Sequence, residues 1–392
     1  MIYLDSNATT QPAPEVVEVM LPFLREQWVN PSSGYKAARV VRRAVESARE
    51  TVADWLGAER EEVVFTSCGT ESINAAHVSA RSLWPERRRL IIGATEHAAV
   101  LESARRWKRS GGEVAILPVD RQGVTDLDRL ADLLREPTAL VSVMWANNET
   151  GVVAPMREIV RLAHEAGALV HSDAVQAVGK AEVNVAEVPV DFLSLSGHKF
   201  HAAKGVGALF VSRRARFQPL LEGGGQEGGR RSGTENVAGI AGMAVAARLM
   251  REHGGEQVRE LRDRFEVIVR DQLPQTVVNG LCAERLGTTS SLTFPGVDAA
   301  GLLIVLDKAG VACAAGSACH AAALHPSHVL EAMGLDAAHA GSTLRFSFSR
   351  YNTIAETTEA AEAVVKSVKK MMVLRGEGMV SLPQMGECLA GG

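Results

Sequence analysis

Short, wholly apolar runs recur along the chain between about residue 60 and residue 215. Stretches with apolar positions three and four residues apart lie between several of these runs, and they predict helices over 125–134 and 156–165. Strands that are apolar throughout and separated by helices are typical of a mainly parallel sheet covered on both faces. The runs predicted to be strands are 63–66, 90–93, 114–119, 139–144, 168–171, 192–195 and 208–211.

The last third of the chain has a different pattern. A long helix over 256–273 is followed by short strands, including one predicted over 310–314, and by a final helix over 353–373. Another long helix is predicted early in the chain, over 35–56. This order favours two domains, and the end of the chain resembles a loosely ordered tail. We predict a large domain over 15–255, a smaller α+β domain over 1–14 and 256–375, and a tail over 376–392.

Composition narrows the class of protein. With 392 residues, of which 46% are hydrophobic and 22% charged, the chain can bury a large core. The net charge of -4 and the absence of long runs of like charge argue against direct nucleic-acid binding. Five cysteines in so long a chain suit a reducing cytoplasm. No apolar run approaches the roughly 18 residues of a membrane span, and the start lacks a signal-peptide pattern, so we expect a cytoplasmic protein without a membrane partner.

Polar residues follow several predicted strands at their carboxyl ends, where open α/β sheets bind ligands. Gly69 and Thr70 open a helix after the first strand, and its free N–H groups suit a phosphate. A helix cap without a ligand explains these two residues equally well. His97 is also typical of a helix cap or a surface residue, and Asn148 could simply belong to a turn.

Asp173 and Lys199 are more informative. Asp173 ends a very apolar strand, where a carboxylate is costly unless it meets a cation such as a protonated pyridine nitrogen. A buried Asp bonded to backbone N–H groups is the alternative. Lys199 ends the next strand beside Ser196 and His198, in a place suited to a Schiff base. A surface lysine is the alternative, and Lys204 is a good candidate for that description.

Cys319 lies among small residues ahead of Pro326, as a mobile nucleophile requires. Cysteine reacts as a thiolate, which a nearby cation favours. A buried structural cysteine and a metal site are the alternatives, but the spacing matches no usual zinc pattern, so we expect no metal. The metal site would use Cys313, Cys319, His320, His325 and His328.

In chain order, these segments resemble the cysteine desulfurases, which belong to the class V aminotransferase group of fold-type I pyridoxal-phosphate enzymes. The resemblance runs from Tyr3-Leu-Asp-Ser-Asn-Ala-Thr-Thr10 to Leu344-Arg-Phe-Ser347. It implies a homodimer whose large domain holds a mainly parallel seven-stranded sheet beside a smaller α+β domain. The most specific segments are Ala146-Asn-Asn-Glu149, Ser194-Leu-Ser-Gly-His-Lys199, Gly223-Gly-Gly-Gln-Glu227, Arg231-Ser-Gly-Thr-Glu-Asn236 and Gly316-Ser-Ala-Cys319.

The same resemblance implies pyridoxal 5'-phosphate as the cofactor, held by Lys199 as a Schiff base. Asp173 would pair with the pyridine nitrogen, Gln176 would bond the ring hydroxyl, and His97 would stack on the ring and take part in catalysis. The remaining cofactor contacts implied by the resemblance come from Gly69, Thr70, Asn148, Ser196 and His198, and from Thr234 of the partner subunit.

The resemblance also implies a reaction. Asn148 and Arg345 would receive the carboxylate of L-cysteine, since a guanidinium suits that planar anion. Cys319 would attack the substrate sulfur and be left as a persulfide, while the rest of the substrate becomes alanine. The sulfur would then pass to an acceptor protein, in iron–sulfur cluster assembly, tRNA thiolation or DNA phosphorothioation.

Other functions stay open at this point. A selenocysteine lyase or a plain class V aminotransferase is the enzymatic rival, although an aminotransferase needs no cysteine on a loop. A non-catalytic scaffold that binds sulfur acceptors is the rival from another class, and the intact Lys199, Asp173 and Cys319 argue against it.

Three positions depart from the usual pattern of the family. The chain lacks the His that is common near Tyr35, has Ala203 where a Pro is usual, and has His320 where a small hydroxyl residue usually follows the nucleophile. None of them removes a catalytic group. The first and third put in doubt the usual behaviour of the region around the nucleophile.

Overall fold

The computed structural model describes residues 1–252, 255–316 and 327–374 of the chain. The predicted tail and the segment that carries Cys319 lie outside these residues. The helices are α1 (Pro14–Arg25), α2 (Lys36–Leu56), α3 (Gly69–Leu83), α4 (Ala98–Arg109), α5 (Leu127–Leu133), α6 (Met156–Glu165), α7 (Val237–Glu252), α8 (Glu256–Gln272), α9 (Ala299–Lys308), α10 (His328–Ala332), α11 (Ala337–Ala340) and α12 (Ile354–Leu374). The strands are β1 (Ile2–Tyr3), β2 (Val63–Thr66), β3 (Arg89–Gly93), β4 (Glu113–Leu117), β5 (Thr138–Ser142), β6 (Leu169–Asp173), β7 (Phe192–Ser196), β8 (Gly207–Val211), β9 (Val277–Val278), β10 (Thr289–Thr293), β11 (Val311–Ala312), β12 (Ala314–Ala315) and β13 (Thr343–Ser347).

The local pattern explains where the helices end. The helix predicted over 35–56 is α2, and the left-handed backbone of Gly57, with φ of 69°, ends it. The helix predicted over 156–165 is α6, and Gly167 follows it with φ of 70°. Both predictions are confirmed to within one residue, because an apolar stripe and a terminal glycine are strong local signals.

A seven-stranded sheet organises the first part of the chain, in the order β2-β8-β7-β6-β5-β3-β4. Of these strands β8 alone runs opposite to the other six, so the predicted mainly parallel sheet is confirmed. Neighbouring side chains of a strand point to opposite faces. Val63 and Phe65 accordingly enter one buried cluster and Val64 enters another. The sheet is therefore buried on both faces, as its apolar strands require.

The central strands β5, β6 and β7 lie side by side and run in the same direction. Their register pairs Ser142 with His171, and Asp173 with Ser194. The residues that follow these three strands therefore emerge at one edge of the sheet. This shared edge brings together polar residues that are far apart in sequence.

Residues from both ends of the described chain share another apolar cluster. Leu4 and Phe265 are buried in it together with Phe346 and Val364. Next to this cluster, β9, β10, β12 and β13 form a four-stranded antiparallel sheet, and β1 pairs with β11. The domain boundaries inferred from the sequence stay a prediction.

The apolar run 310–314 is not the single strand predicted from the sequence. It divides into β11, which pairs in parallel with β1, and β12, which pairs antiparallel with β13. Because the two pieces join different sheets, the chain must turn between them, and Cys313 lies at this turn. Burial raises the pKa of the Cys313 thiol to about 12, so it is a poor nucleophile at neutral pH.

Candidate active site

A cavity of about 360 Å³ lies where the central strands of the large sheet end. Two of the residues predicted to act in the site are not among those that line this cavity. Thr234 is exposed and, like Arg231, borders a separate cleft. Cys319 lies outside the described residues. The other ten line the cavity: Gly69, Thr70, His97, Asn148, Asp173, Gln176, Ser196, His198, Lys199 and Arg345.

Asp173 is buried at the end of β6 and borders the cavity. Its Oδ1 accepts a hydrogen bond of 3.0 Å from the backbone N–H of Val175. Burial raises the pKa of the Asp173 carboxyl, and the charges of His97 and Lys199 act in the opposite direction. A buried carboxyl of this kind suits a ligand that brings a cationic ring nitrogen.

Lys199 ends a single 3₁₀ turn, Gly197–Lys199, directly after β7. Its Nζ donates hydrogen bonds to the carbonyl oxygens of Asn7 and Ala8, at 2.7 and 2.8 Å. The amide of Gln176 donates to the same Asn7 carbonyl at 2.9 Å. The N-terminal segment therefore holds the amino group of Lys199 at the wall of the cavity.

One end of the cavity is suited to a phosphate. The helix α3 begins there at Gly69, and its N-cap residue, Cys68, makes no side-chain capping bond. A Cβ added at Gly69 would lie 2.6 Å from Val175 Cγ2, so this close approach requires glycine. The buried hydroxyl of Ser196 has no hydrogen-bond partner among the described residues. Free N–H groups, the helix dipole and an unsatisfied hydroxyl together fit a bound phosphate.

His198 and His97 are both neutral at neutral pH. Burial and the nearby charge of Lys199 lower the pKa of His198 to about 4. Burial also lowers the pKa of His97, although the charge of Asp173 acts in the opposite direction. His97 Nδ1 accepts a hydrogen bond of 3.1 Å from the backbone N–H of Ala99, so the ring proton of His97 lies on Nε2.

Arg345 lies on β13 at the side of the cavity nearest the small sheets, and it is 3% exposed. Its Nη1 donates to the carbonyl oxygen of Asn148 at 3.0 Å, and its Nη2 donates to Asp5 Oδ1 at 2.7 Å. Its buried Nε has no partner among the described residues. These contacts fix a guanidinium that is suited to a carboxylate ligand.

Residues 2–359 of this chain match the protein family described as "Aminotransferase class-V". "Cysteine desulfurase 2" of Trichormus variabilis is 46% identical over 376 residues, which cover 95% of this chain and 94% of that protein. The chain belongs to the cysteine desulfurases of this family. Enzymes of the family depend on pyridoxal phosphate. The family, the fold class and the enzymatic function predicted from the sequence are therefore confirmed.

Solved structures agree with this assignment. The desulfurase matches a structure described as a NifS-like protein with a TM-score of 0.87 and 34% identity, over 94% of this chain and 99% of that one. It also matches the structure described as "SspA in complex with cysteine", with a TM-score of 0.80 and 33% identity, over 90% of this chain and all of that one.

Several residues that line the cavity of the desulfurase were not predicted from the sequence. They include Asn7, Cys68, Glu149 and His328. Asn7 and Glu149 belong to segments that carry the family resemblance, so the motif itself held a signal for them. His328 entered the sequence analysis only as a candidate metal ligand. In the structure its Nε2 donates to the carbonyl oxygen of Glu96 at 2.9 Å.

The metal alternative gains no support from the described part of the desulfurase. Three of its five side chains, Cys319, His320 and His325, lie outside the described residues. Within the described ranges, no group of three or more His, Cys, Asp and Glu side chains is arranged to hold a metal ion.

No helix of these ranges has the length and apolar character needed to cross a membrane.

Proposed function

We propose that this desulfurase binds pyridoxal 5'-phosphate in the cavity at the sheet edge and transfers the sulfur of L-cysteine to Cys319. One observation carries the proposal: a buried carboxyl, a lysine and a helix N-terminus converge on a single cavity. These are Asp173, Lys199 and the start of α3. They match the ring nitrogen, the aldehyde and the phosphate of the cofactor, respectively.

The donor set fits the cofactor in detail. Asp173 would hold the protonated ring nitrogen, and Lys199 would bind the aldehyde carbon. Gly69, Thr70, Ser196 and His198 would hold the phosphate, joined by Thr234 of the partner subunit in a homodimer. When bound, the cofactor supplies an electron sink for the bond changes at the substrate.

His97 would act in two ways. Its neutral ring, anchored at Nδ1 by the backbone of Ala99, can stack on the bound ring system. The N–H at its Nε2 can donate a hydrogen bond to the bound cofactor or substrate. The lowered pKa of His97 keeps the ring uncharged at neutral pH, so His97 would take part in catalysis through the ring contact and this hydrogen bond rather than as an acid.

Arg345 and Asn148 would receive the substrate carboxylate. The unpartnered Nε of Arg345 offers a donor that the protein itself does not use within the described residues. A carboxylate that arrives at this guanidinium competes with Asp5, which already accepts from Nη2. The cysteine bound to the related SspA supports L-cysteine as the substrate.

The sulfur transfer involves one bond exchange. The thiolate of Cys319 attacks the substrate sulfur, so an S–S bond forms while the C–S bond of cysteine breaks. The substrate carbon keeps the electron pair of that bond and takes up a proton, which yields alanine. Cys319 is left as a persulfide, whose outer sulfur passes to an acceptor protein in the cytoplasm. Neither nucleic acid nor membrane is a direct partner in this proposal.

A Cys319→Ser variant tests the proposal. We expect it to keep the bound cofactor and to bind L-cysteine, but to release almost no sulfide or alanine. In the wild-type enzyme, mass spectrometry should find the added sulfur on the peptide that contains Cys319. Cys282→Ser and Cys388→Ser are the matched controls and should keep full turnover. Added sulfur on Cys388 or Cys282, together with turnover by Cys319→Ser, would overturn the proposed role of Cys319.

A further inference from the structure

Lys180 lies behind the wall of the cavity, four residues after Gln176. Its Nζ donates hydrogen bonds to Gln176 Oε1 at 2.6 Å and to Asn7 Oδ1 at 3.1 Å. Gln176 and Asn7 both line the cavity, whereas Lys180 itself borders a separate cleft. Among the described residues, Lys180 therefore reaches the cavity through these two side chains.

The amino group of Lys180 is in a costly position. Burial lowers the pKa of Lys180 well below its usual range, and the charges of Lys199 and Arg345 act in the same direction. No ion pair among the described residues includes Lys180, and both oxygens that accept its protons belong to amides. Buried amino groups without a carboxylate partner are uncommon and cluster at functional sites.

The contacts of Lys180 select one orientation of the Gln176 amide. An amide has one oxygen that accepts and one nitrogen that donates two hydrogens, so its neighbours decide which way it points. Lys180 Nζ donates to the oxygen of Gln176, and also to the side-chain oxygen of Asn7. The carbonyl of Asn7 can only accept, and it takes one hydrogen from Nε2 of Gln176. Both neighbours favour the same orientation and leave the second hydrogen on Nε2 unused by these contacts.

We propose that Lys180 is a positioning residue, which holds the amide of Gln176 so that its nitrogen, and not its oxygen, is offered to the anionic ring oxygen of bound pyridoxal phosphate. This inference rests on the proposed function of the cavity. Without Lys180 the Asn7 carbonyl alone favours this orientation, so the amide can rotate more easily and present its oxygen to that ring oxygen, which replaces an attraction with a repulsion.

Asn7 extends the effect of Lys180 to the lysine that would carry the cofactor. The carbonyl oxygen of Asn7 accepts from both Gln176 and Lys199, and its side-chain oxygen accepts from Lys180. Its Nδ2 donates to the carbonyl oxygen of Asn148 at 3.1 Å. A change at Lys180 can therefore reach both Gln176 and Lys199 through Asn7.

The test compares Lys180→Met with the wild-type enzyme. Methionine keeps a similar chain length and removes the donor. After removal of the cofactor, the affinity of each protein for added pyridoxal phosphate is measured by absorbance, and the visible band of the reconstituted enzyme is followed across pH. We expect the affinity to fall roughly threefold to tenfold, as for the loss of one hydrogen bond, and the pH midpoint of the band to move. Lys308→Met, on the exposed side of α9, should match the wild type.

A double variant tests whether Lys180 acts through Gln176. If it does, Lys180→Met combined with Gln176→Leu should bind the cofactor no more weakly than Gln176→Leu alone. Fully additive losses would overturn the inference, and so would a Lys180→Met variant that melts at a lower temperature with unchanged affinity and pH midpoint. If the wild-type protein takes up no pyridoxal phosphate, the proposed function fails. If it does and Lys180→Met behaves identically, this inference alone fails.

Discussion

Ser327 Oγ donates a hydrogen bond of 2.5 Å to Glu149 Oε2; both side chains are buried, and Glu149 lines the cavity. A Cβ added at Gly316 would lie 2.9 Å from Ser327 Cβ and 3.2 Å from the same carboxyl oxygen. The described residues on either side of 317–326 therefore meet at Glu149. Burial raises the pKa of Glu149, while the Ser327 hydrogen bond and the charge of Arg345 act in the opposite direction. Gly316 and Ser327, the described residues that flank the segment with Cys319, therefore both lie next to a residue that lines the cavity.

Ser327→Ala should destabilise the enzyme. It removes the hydrogen bond to Glu149 and also the capping contact of 3.3 Å from the backbone N–H of Leu330 to Ser327 Oγ. A buried carboxyl oxygen left without its donor, plus a lost helix cap, should lower the free energy of unfolding by about 1–3 kcal/mol. Urea unfolding measures the difference. Ser82→Ala, on the exposed side of α3, is the control and should change it by less than about 0.5 kcal/mol. Equal stability of Ser327→Ala and the control would contradict this account.

Asp173 and Lys199 could be predicted from the sequence because each follows an apolar strand, and parallel strands end at one edge of a sheet. The contacts of Asn7 and Lys180 could not. Lys180 and Asn7 are 173 residues apart, and Lys199 and Asn7 are 192 apart. No periodicity links such positions, since the contact depends on how the N-terminal segment crosses the finished sheet. The division of the strand at Cys313 was missed for a similar reason, because it depends on which strands lie on either side.

Lys199→Ala should prevent covalent attachment of the cofactor. Lys199 borders the cavity, and its amino group lies among the groups proposed to hold the ring and the phosphate. After treatment with borohydride, mass spectrometry should find the cofactor on the peptide with Lys199 in the wild-type enzyme and on no peptide of the variant. Lys204→Ala, at an exposed position, is the control and should keep the label. Label that persists in Lys199→Ala would mean that another lysine is the anchor, and Lys204 would be the first to test.

Arg345→Lys should weaken the use of substrate without loss of cofactor. An ammonium cannot reproduce the paired donors of a guanidinium, nor hold both Asn148 and Asp5 in their present contacts. Loss of one charged hydrogen bond of this kind should lower the kcat/KM for L-cysteine by roughly tenfold to hundredfold. Steady-state alanine formation and cofactor content check the two parts separately. Arg25→Lys, exposed at the end of α1, should leave both unchanged. The assignment fails if the kcat/KM of Arg345→Lys equals that of this control.

A chain of four buried polar side chains crosses the large sheet away from the cavity. His77 Nε2 lies 3.0 Å from Ser142 Oγ, which lies 2.8 Å from His171 Nδ1, and His171 Nε2 lies 2.9 Å from Ser194 Oγ. His77 Nδ1 has no partner among the described residues. Burial lowers the pKa of His77 to about 3. Burial also lowers the pKa of His171 well below its usual range, and the charge of His77 acts in the same direction. Both rings are therefore neutral in the folded protein.

Acid should destabilise the enzyme through these two histidines. In the unfolded chain each ring takes up a proton near pH 6.5, whereas in the folded protein it stays neutral until far lower pH. Between these values the unfolded chain binds more protons, so the free energy of unfolding falls as the pH drops below 6.5. Above that pH the rings are neutral in both the unfolded chain and the folded protein. The contribution of these histidines to the free energy of unfolding is then fully present and does not change with pH.

His77→Gln isolates one of these contributions. The free energy of unfolding, measured with urea at several pH values between about 5.5 and 4, should fall less steeply with acid in the variant than in the wild type. One neutral buried histidine accounts for about 1.4 kcal/mol per pH unit in this window. Titration of the buried carboxyls Glu96, Glu149 and Asp173 also affects the slope, but it is common to both proteins and cancels in the comparison. His339→Gln, at an exposed position, should leave the slope nearly unchanged, and a His77→Gln slope equal to that of the wild type would show that His77 is not held neutral by the fold.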